Sequence, residues 1–235
     1  MNKEDLIVLH EDNHVIVVLK PQNVPCCEDP TGDKDLLTVI KEYVKEKENK
    51  PGNVYIGLVH RLDRVTGGVM VYAKSSKAAS RLSEQIREGD FEKKYFAVLV
   101  GSPKDKKGEL CDHLKKNAIN NMVYVCPPTV EGAKYAELDY KVIAEKDGLS
   151  LAAINLHTGR THQIRVQFSS RGTPVYGDMR YGGENAKKGK IALWATALTF
   201  SHPVSKERLS FRIAPPAEDA PWNKFTFNDD ILLSL

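Results

Sequence analysis

The chain has 235 residues, 41% hydrophobic and 28% charged, the composition of an ordinary globular protein and not of a disordered or fibrous one. Its formal charge is +3, from 34 basic and 31 acidic residues, too mild to demand nucleic acid, so any claim of RNA binding must rest on local clusters. No apolar run approaches the roughly 20 residues that span a bilayer, and the charged residues 1–5 precede no signal-type core, so no membrane is expected and the cytoplasm is the default compartment.

In chain order, the β-branched run 15–19, closed by Lys20-Pro21, reads as a strand ending in a loop. Leu36, Val39, Ile40, Tyr43 and Val44 recur at helical spacing, which predicts an amphipathic helix fraying through the charged stretch 45–50 and broken at Pro51-Gly52. Strand-like runs follow at 54–59 and 69–73. Ser75 or Ser76 then caps a helix whose apolar face is Ala79, Leu82 and Ile86, stopped by Gly89. The run 95–100 reads as a buried strand. Residues 102–134 are polar and irregular, and with Lys104, Lys106, Lys107, Lys115 and Lys116 they fit a solvated insertion and a nucleic-acid-facing loop equally well. The runs 135–143 and 149–156 predict a hairpin around Lys146-Asp147-Gly148. Thr158-Gly159-Arg160 leads into a helix with Ile164 and Phe168 on one face, ended by Gly172, and strands at 191–200 and 208–213 precede a Pro-rich aromatic tail. Strands paired through hairpins, with helices interspersed, predict an α+β fold: a mixed, largely antiparallel sheet flanked by helices, in a single domain over residues 1–235.

The four cysteines (Cys26, Cys27, Cys111, Cys126) lack the paired spacing of a zinc ribbon, and reduced thiols are expected. No GxGxxG and no GKS/T loop occurs, which argues against a dinucleotide- or ATP-dependent enzyme. The segment His60-Arg61-Leu62-Asp63-Arg64-Val65-Thr66-Gly67-Gly68 sets one carboxylate between two arginines, on a turn between apolar runs and before a Gly pair. Such a carboxylate can act as a nucleophile or as an electrostatic stabiliser.

Two further segments stand out: Lys93-Lys94-Tyr95-Phe96-Ala97-Val98-Leu99-Val100-Gly101, and Thr158-Gly159-Arg160-Thr161-His162-Gln163-Ile164-Arg165, followed by Gly177-Asp178-Met179-Arg180-Tyr181-Gly182. In combination, order and spacing the three resemble the RluA-like family of RNA pseudouridine synthases, over most of the chain from about Leu9 to about Pro216. The first motif departs from the family pattern at Gly67, where the family has Ser, and Leu193-Trp194-Ala195 stands where the family often has Leu-His-Ala.

The resemblance implies isomerisation of uridine to pseudouridine in structured RNA, ribosomal or transfer RNA or both, without cofactor or metal. It implies that Asp63 is the essential carboxylate, either attacking C1′ or assisting glycosidic cleavage by an oxocarbenium-like or glycal route, and that a second, water-activating carboxylate is not needed. It further implies that Arg165 ion-pairs with the catalytic Asp, and that Tyr95 stacks on the target base with its hydroxyl near the C5 proton. His60 and Arg61 match positions where an arginine enters the stack vacated by the flipped base. Arg64 is an expected RNA contact, Arg160 and His162 organise the loop around Asp63 or touch phosphate, and Asp178 and Tyr181 fix a turn. With only about 60 residues before the Asp motif, an N-terminal S4 module is not expected, and a monomer is. Two other readings stay open: an Asp-dependent nucleoside or glycoside hydrolase, and an RNA-folding protein without catalysis.

Overall fold

The computed structural model describes residues 1–49 and 51–233, so Lys50, the last residue of the charged stretch after the first helix, lies outside the described residues. The chain divides into two compact units, Met1–Glu92 with Ala197–Ile213, and Lys93–Thr196 with Ala214–Leu235.

The first unit holds β1 (Ile7–Glu11), β2 (Val15–Lys20), α1 (Leu36–Lys47), β3 (Gly57–Leu58), β4 (Gly67–Ala73) and α2 (Ser76–Glu88). β2 lies antiparallel between β1 and β4, in register from Val15↔Ala73 to Lys20↔Gly68. Val15, Ile16, Val17 and Val18 are all fully buried, as is nearly every residue of β4, so these strands read as continuous apolar runs and not as alternating ones. Asp35 caps α1 by accepting from the Thr38 N–H, and Ser75 caps α2 by accepting from the Ala78 N–H. Gly89, at φ 82°, closes α2 in the left-handed conformation. Ala78 and Leu82 of α2 pack on Val69, Val71, Ala73 and Phe91.

The second unit is built on β5 (Glu92–Val100), β6 (Lys107–Lys116), β7 (Val123–Cys126), β8 (Lys134–Lys146) and β9 (Leu149–Leu156), hydrogen-bonded in the order β5-β9-β8-β6-β7, each pair antiparallel. α3 (Gln163–Ser169) follows. β10 (Leu193–Ser201) runs out of this unit into the first, where its residues from Ala197 onward pair with β11 (Arg208–Arg212); α4 (Asp229–Leu233) ends the described chain. Asp147 and Gly148, both at positive φ (52° and 71°), make the tight turn between β8 and β9.

An α+β fold with a largely antiparallel sheet is therefore what the chain adopts. Three local expectations change. The run 54–59 pairs only at Gly57–Leu58. Ile7–Glu11, not expected as a strand, pairs with β2. The stretch 102–134 is not irregular: it contains β6, β7 and their turn. Its alternation is masked because Asp112 takes an inward slot between Leu110 and Leu114, where it accepts from Gln167 Nε2 at 2.8 Å and pairs with Arg171 at 2.9 Å.

Candidate active site

The first unit carries His60, Arg61, Asp63 and Arg64 on the turn before β4. Asp63 is partly buried, and its carbonyl accepts from the Thr66 N–H at 2.9 Å, closing the turn. The flanking backbone is gripped by residues 20–26. Lys20 is fully buried, and its Nζ donates to the carbonyls of Pro21 (3.0 Å), Val24 (2.7 Å) and Arg64 (2.9 Å). The Asn23 N–H also donates to the Arg64 carbonyl (2.8 Å), and Gln22 Nε2 donates to that of Val65 (3.0 Å). Cys26 Sγ donates to the Leu62 carbonyl at 3.1 Å and accepts from the Leu62 N–H at 3.3 Å, while the Leu62 side chain is itself buried.

These contacts fix the backbone on both sides of Asp63. Burial pushes the Lys20 pKa down to about 8, opposed by the Cys26 sulfur and the Asp63 carboxylate beside it. Three carbonyl acceptors match the three donors of the ammonium, so in its charged form every polar group of Lys20 is satisfied.

The other three residues differ in how their side chains are committed. His60 accepts the Val71 N–H at its Nε2 (3.1 Å) and sets its ring edge-on to Phe91, so it ties the turn to β4. Arg61 is exposed, with no hydrogen-bond or ion-pair partner among the described residues. The Arg64 guanidinium is taken up by the 29–33 loop: it bonds Asp33, Thr31 (2.6 Å) and Asp29 (3.4 Å). Two carboxylates there already take up this arginine, a commitment that the sequence alone did not reveal.

The second unit carries Tyr95, Arg160, His162 and Arg165. Tyr95 is buried on β5, opposite Ile154 of β9. Arg160 is exposed and donates from Nε to the Tyr135 carbonyl (2.7 Å). His162 precedes α3 at φ 53°, a left-handed conformation that costs a non-glycine residue energy and that surrounding contacts must hold. Those contacts are visible. Buried Gln163 bridges the loop, accepting from Thr158 Oγ1 (2.8 Å) and the Arg160 N–H (3.0 Å) and donating to the Glu137 carbonyl (3.1 Å). His162 Nδ1 lies 2.7 Å from Tyr181 Oη.

Arg165 is buried and makes a two-pronged pair with buried Asp178, Nε to Oδ2 at 2.7 Å and the second amino group to Oδ1 at 2.8 Å, with its guanidinium over the Tyr181 ring at 5.1 Å. Asp178 Oδ1 also accepts the N–H groups of Arg180 and Tyr181. Asp178 thus fixes both a turn and the arginine, a task that the sequence reading confined to the turn. Gly177, at φ 75°, makes this possible, because a Cβ there would lie 2.3 Å from the Lys190 carbonyl oxygen.

Comparison with known proteins settles what these parts belong to. The family model for RNA pseudouridylate synthase matches residues 14–170. The chain belongs to that family. Among its relatives, the uncharacterized RNA pseudouridine synthase YhcT of Bacillus subtilis is 31% identical over 216 residues, covering 91% of this chain and 70% of that protein. The ribosomal large subunit pseudouridine synthase C of Vibrio vulnificus is 32% identical over 222 residues, 92% of this chain and 67% of that one. The human RNA Pseudouridylate Synthase Domain Containing 1 structure superposes with a TM-score of 0.76 at 21% identity, over 100% of this chain and 95% of that one, which extends the likeness to the fold.

The resemblance to the RluA-like family drawn from the three motifs is borne out, and the protein is an RNA pseudouridine synthase, an isomerase that modifies RNA. Among the described residues no helix is long and apolar enough to cross a membrane. The residues that sequence reasoning missed in this pseudouridine synthase are Lys20, Cys26 and Gln163, which hold backbone. Two signals could have found them: Lys20-Pro21 at a strand end, and Gln163 inside a recognised motif.

Proposed function

We infer that this synthase isomerises particular uridines of structured RNA in the cytoplasm, with ribosomal RNA the first substrate class and transfer RNA the second. Asp63 is the carboxylate that acts at C1′, by direct attack or through the glycal route. The N1–C1′ bond breaks, the uracil turns, and C5–C1′ forms, with the C5 proton lost and N1 protonated. Tyr95 stacks on the target base, its hydroxyl near the C5 proton, and Arg165 supplies the cation that the motif pairs with the carboxylate. Arg61 takes the space of the flipped base, whose extrusion costs a few kcal/mol; His60, Arg64, Arg160 and His162 serve RNA contact or loop support.

The observation that carries this reading is the fixation of the Asp63 turn from both sides by Lys20, Gln22, Asn23 and Cys26. A carboxylate that must meet one atom of an extruded nucleotide gains from a preorganised backbone. Ribosomal RNA comes first because several relatives carry the name ribosomal large subunit pseudouridine synthase C.

The test is a pseudouridine map of total RNA, by chemical derivatisation, in a deletion strain with and without the gene restored. Wild type should restore one or a few sites and Asp63→Ala none. Restoration by Asp63→Ala, or release of free uracil, would sink the reading.

A further inference from the structure

Lys93, in the second unit, is another lysine whose pKa burial lowers. It lies on β5 two residues before Tyr95, so the two side chains stand on the same face of the strand, roughly 6.6 Å apart along it. Its Nζ reaches across to the Thr158-Gly159-Arg160 turn, where a Cβ on Gly159 would lie 3.7 Å from it. Arg160, the next residue, is the charge it senses, and that charge adds to burial in pulling the Lys93 pKa down. Among the described residues Lys93 has no carboxylate and no hydrogen-bond acceptor. Two cations brought together without an anion repel each other and gain from one that sits between them. Lys20, by contrast, has three carbonyls for its three donors.

We propose that Lys93 and Arg160 form an anion subsite that takes a backbone phosphate of the RNA beside the base carried on Tyr95. The inference rests on the reading of Tyr95 as the base-stacking residue. Phosphate oxygens accept from an ammonium and from a guanidinium at once, and a nucleotide places its phosphate within reach of a ring that holds its base. Lys94, one residue on, points to the opposite face of β5 and serves as the comparator.

The test uses the full chain carrying Asp63→Asn, so that binding is read without turnover, and a short oligouridylate as probe. The dependence of log affinity on log salt should weaken in Lys93→Gln by about 0.7, the value of one single-strand phosphate contact. It should be retained in Lys93→Arg and in Lys94→Gln. In parallel, the ε-carbon NMR signal of Lys93, assigned by its loss in Lys93→Arg, should titrate at higher pH when the oligouridylate is present.

An equal shift with inorganic phosphate alone would mean a free-phosphate site and overturn the RNA assignment. An unchanged salt slope in Lys93→Gln, or a Lys93→Arg protein as weak as Lys93→Gln, would overturn the subsite itself. Because all of this is read without catalysis, it stands or falls separately from the isomerase assignment of Asp63.

Discussion

Arg165 shows how a charged residue is made rigid. Its guanidinium is buried, held by two hydrogen bonds to Asp178 and covered by the Tyr181 ring. Breaking a buried pair from one side typically costs about 3–5 kcal/mol, because the remaining charge keeps its desolvation penalty without its partner. Asp178→Asn should therefore lower the unfolding free energy by about 3 kcal/mol, as read by urea denaturation. It should also lower kcat more than it weakens RNA binding, because the lost function is orientation of Arg165. A variant with wild-type stability and activity would show that Asp178 is dispensable to the arginine.

Lys20 presents a related case with the opposite partner. Replacing it by Met leaves the carbonyls of Pro21, Val24 and Arg64 without that donor, although Arg64 keeps the Asn23 N–H. Each buried polar group left unsatisfied costs about 1–3 kcal/mol. Relief of the buried ammonium offsets part of this, so Lys20→Met should destabilise by about 2 kcal/mol and loosen the Asp63 turn. Faster amide exchange at Thr66, whose N–H closes that turn, is the signature to look for.

At the scale of elements, α2 was readable because its punctuation is local, Ser75 at the start and Gly89 at the stop. α1 was readable because its apolar residues recur at helical spacing; its Asp35 cap showed only in the structure. The β8–β9 hairpin was readable from local punctuation too, in Asp147-Gly148. β6 and β7 were not, because inward Asp112 breaks the apolar alternation, and its partners Gln167 and Arg171 lie more than fifty residues away. β1 was equally hidden, since only its pairing with β2 makes it a strand.

The loop that presents Asp178 depends on Gly177 for a reason that can be tested alone. A left-handed backbone costs an L-residue about 1–2 kcal/mol, and the added Cβ would overlap the Lys190 carbonyl. Gly177→Ala should destabilise by more than about 2 kcal/mol in the same denaturation experiment. A midpoint equal to wild type would mean that the chain around Lys190 moves aside freely.

Across the whole molecule, the motif residues were legible because each motif packs its chemistry into a few consecutive positions. The residues that hold those motifs were not, since Lys20 acts on Arg64 from 44 positions away and Cys26 on Leu62 from 36. The same buried groups predict how stability follows pH. Lys20 has a folded pKa of about 8 against 10.5 unfolded. Between those values the unfolded chain holds a proton that the folded one has released, so stability rises with pH, by up to about 1.4 kcal/mol per unit. Cys26 and Tyr72 act in reverse. Burial raises both, so their contributions are intact below their unfolded values of 9.0 and 10.0 and are lost as pH climbs beyond them.

On the acid side, Glu11 resists burial through hydrogen bonds from Lys47 and Lys74, which hold its pKa below the usual value, so its contribution is lost as pH falls through 4.5 and lower. Unfolding free energy should therefore rise above about pH 8, peak between about pH 9 and pH 10, where Lys20 and Cys26 offset each other, and fall above about pH 10. Urea midpoints measured from neutral to strongly alkaline pH will show that peak. In Lys20→Met the rise above pH 8 should shrink to the part that Lys93 contributes, while the fall above pH 10 remains. A wild-type curve that declines steadily from neutrality would mean that Lys20 keeps its proton throughout, its three carbonyls outweighing its burial.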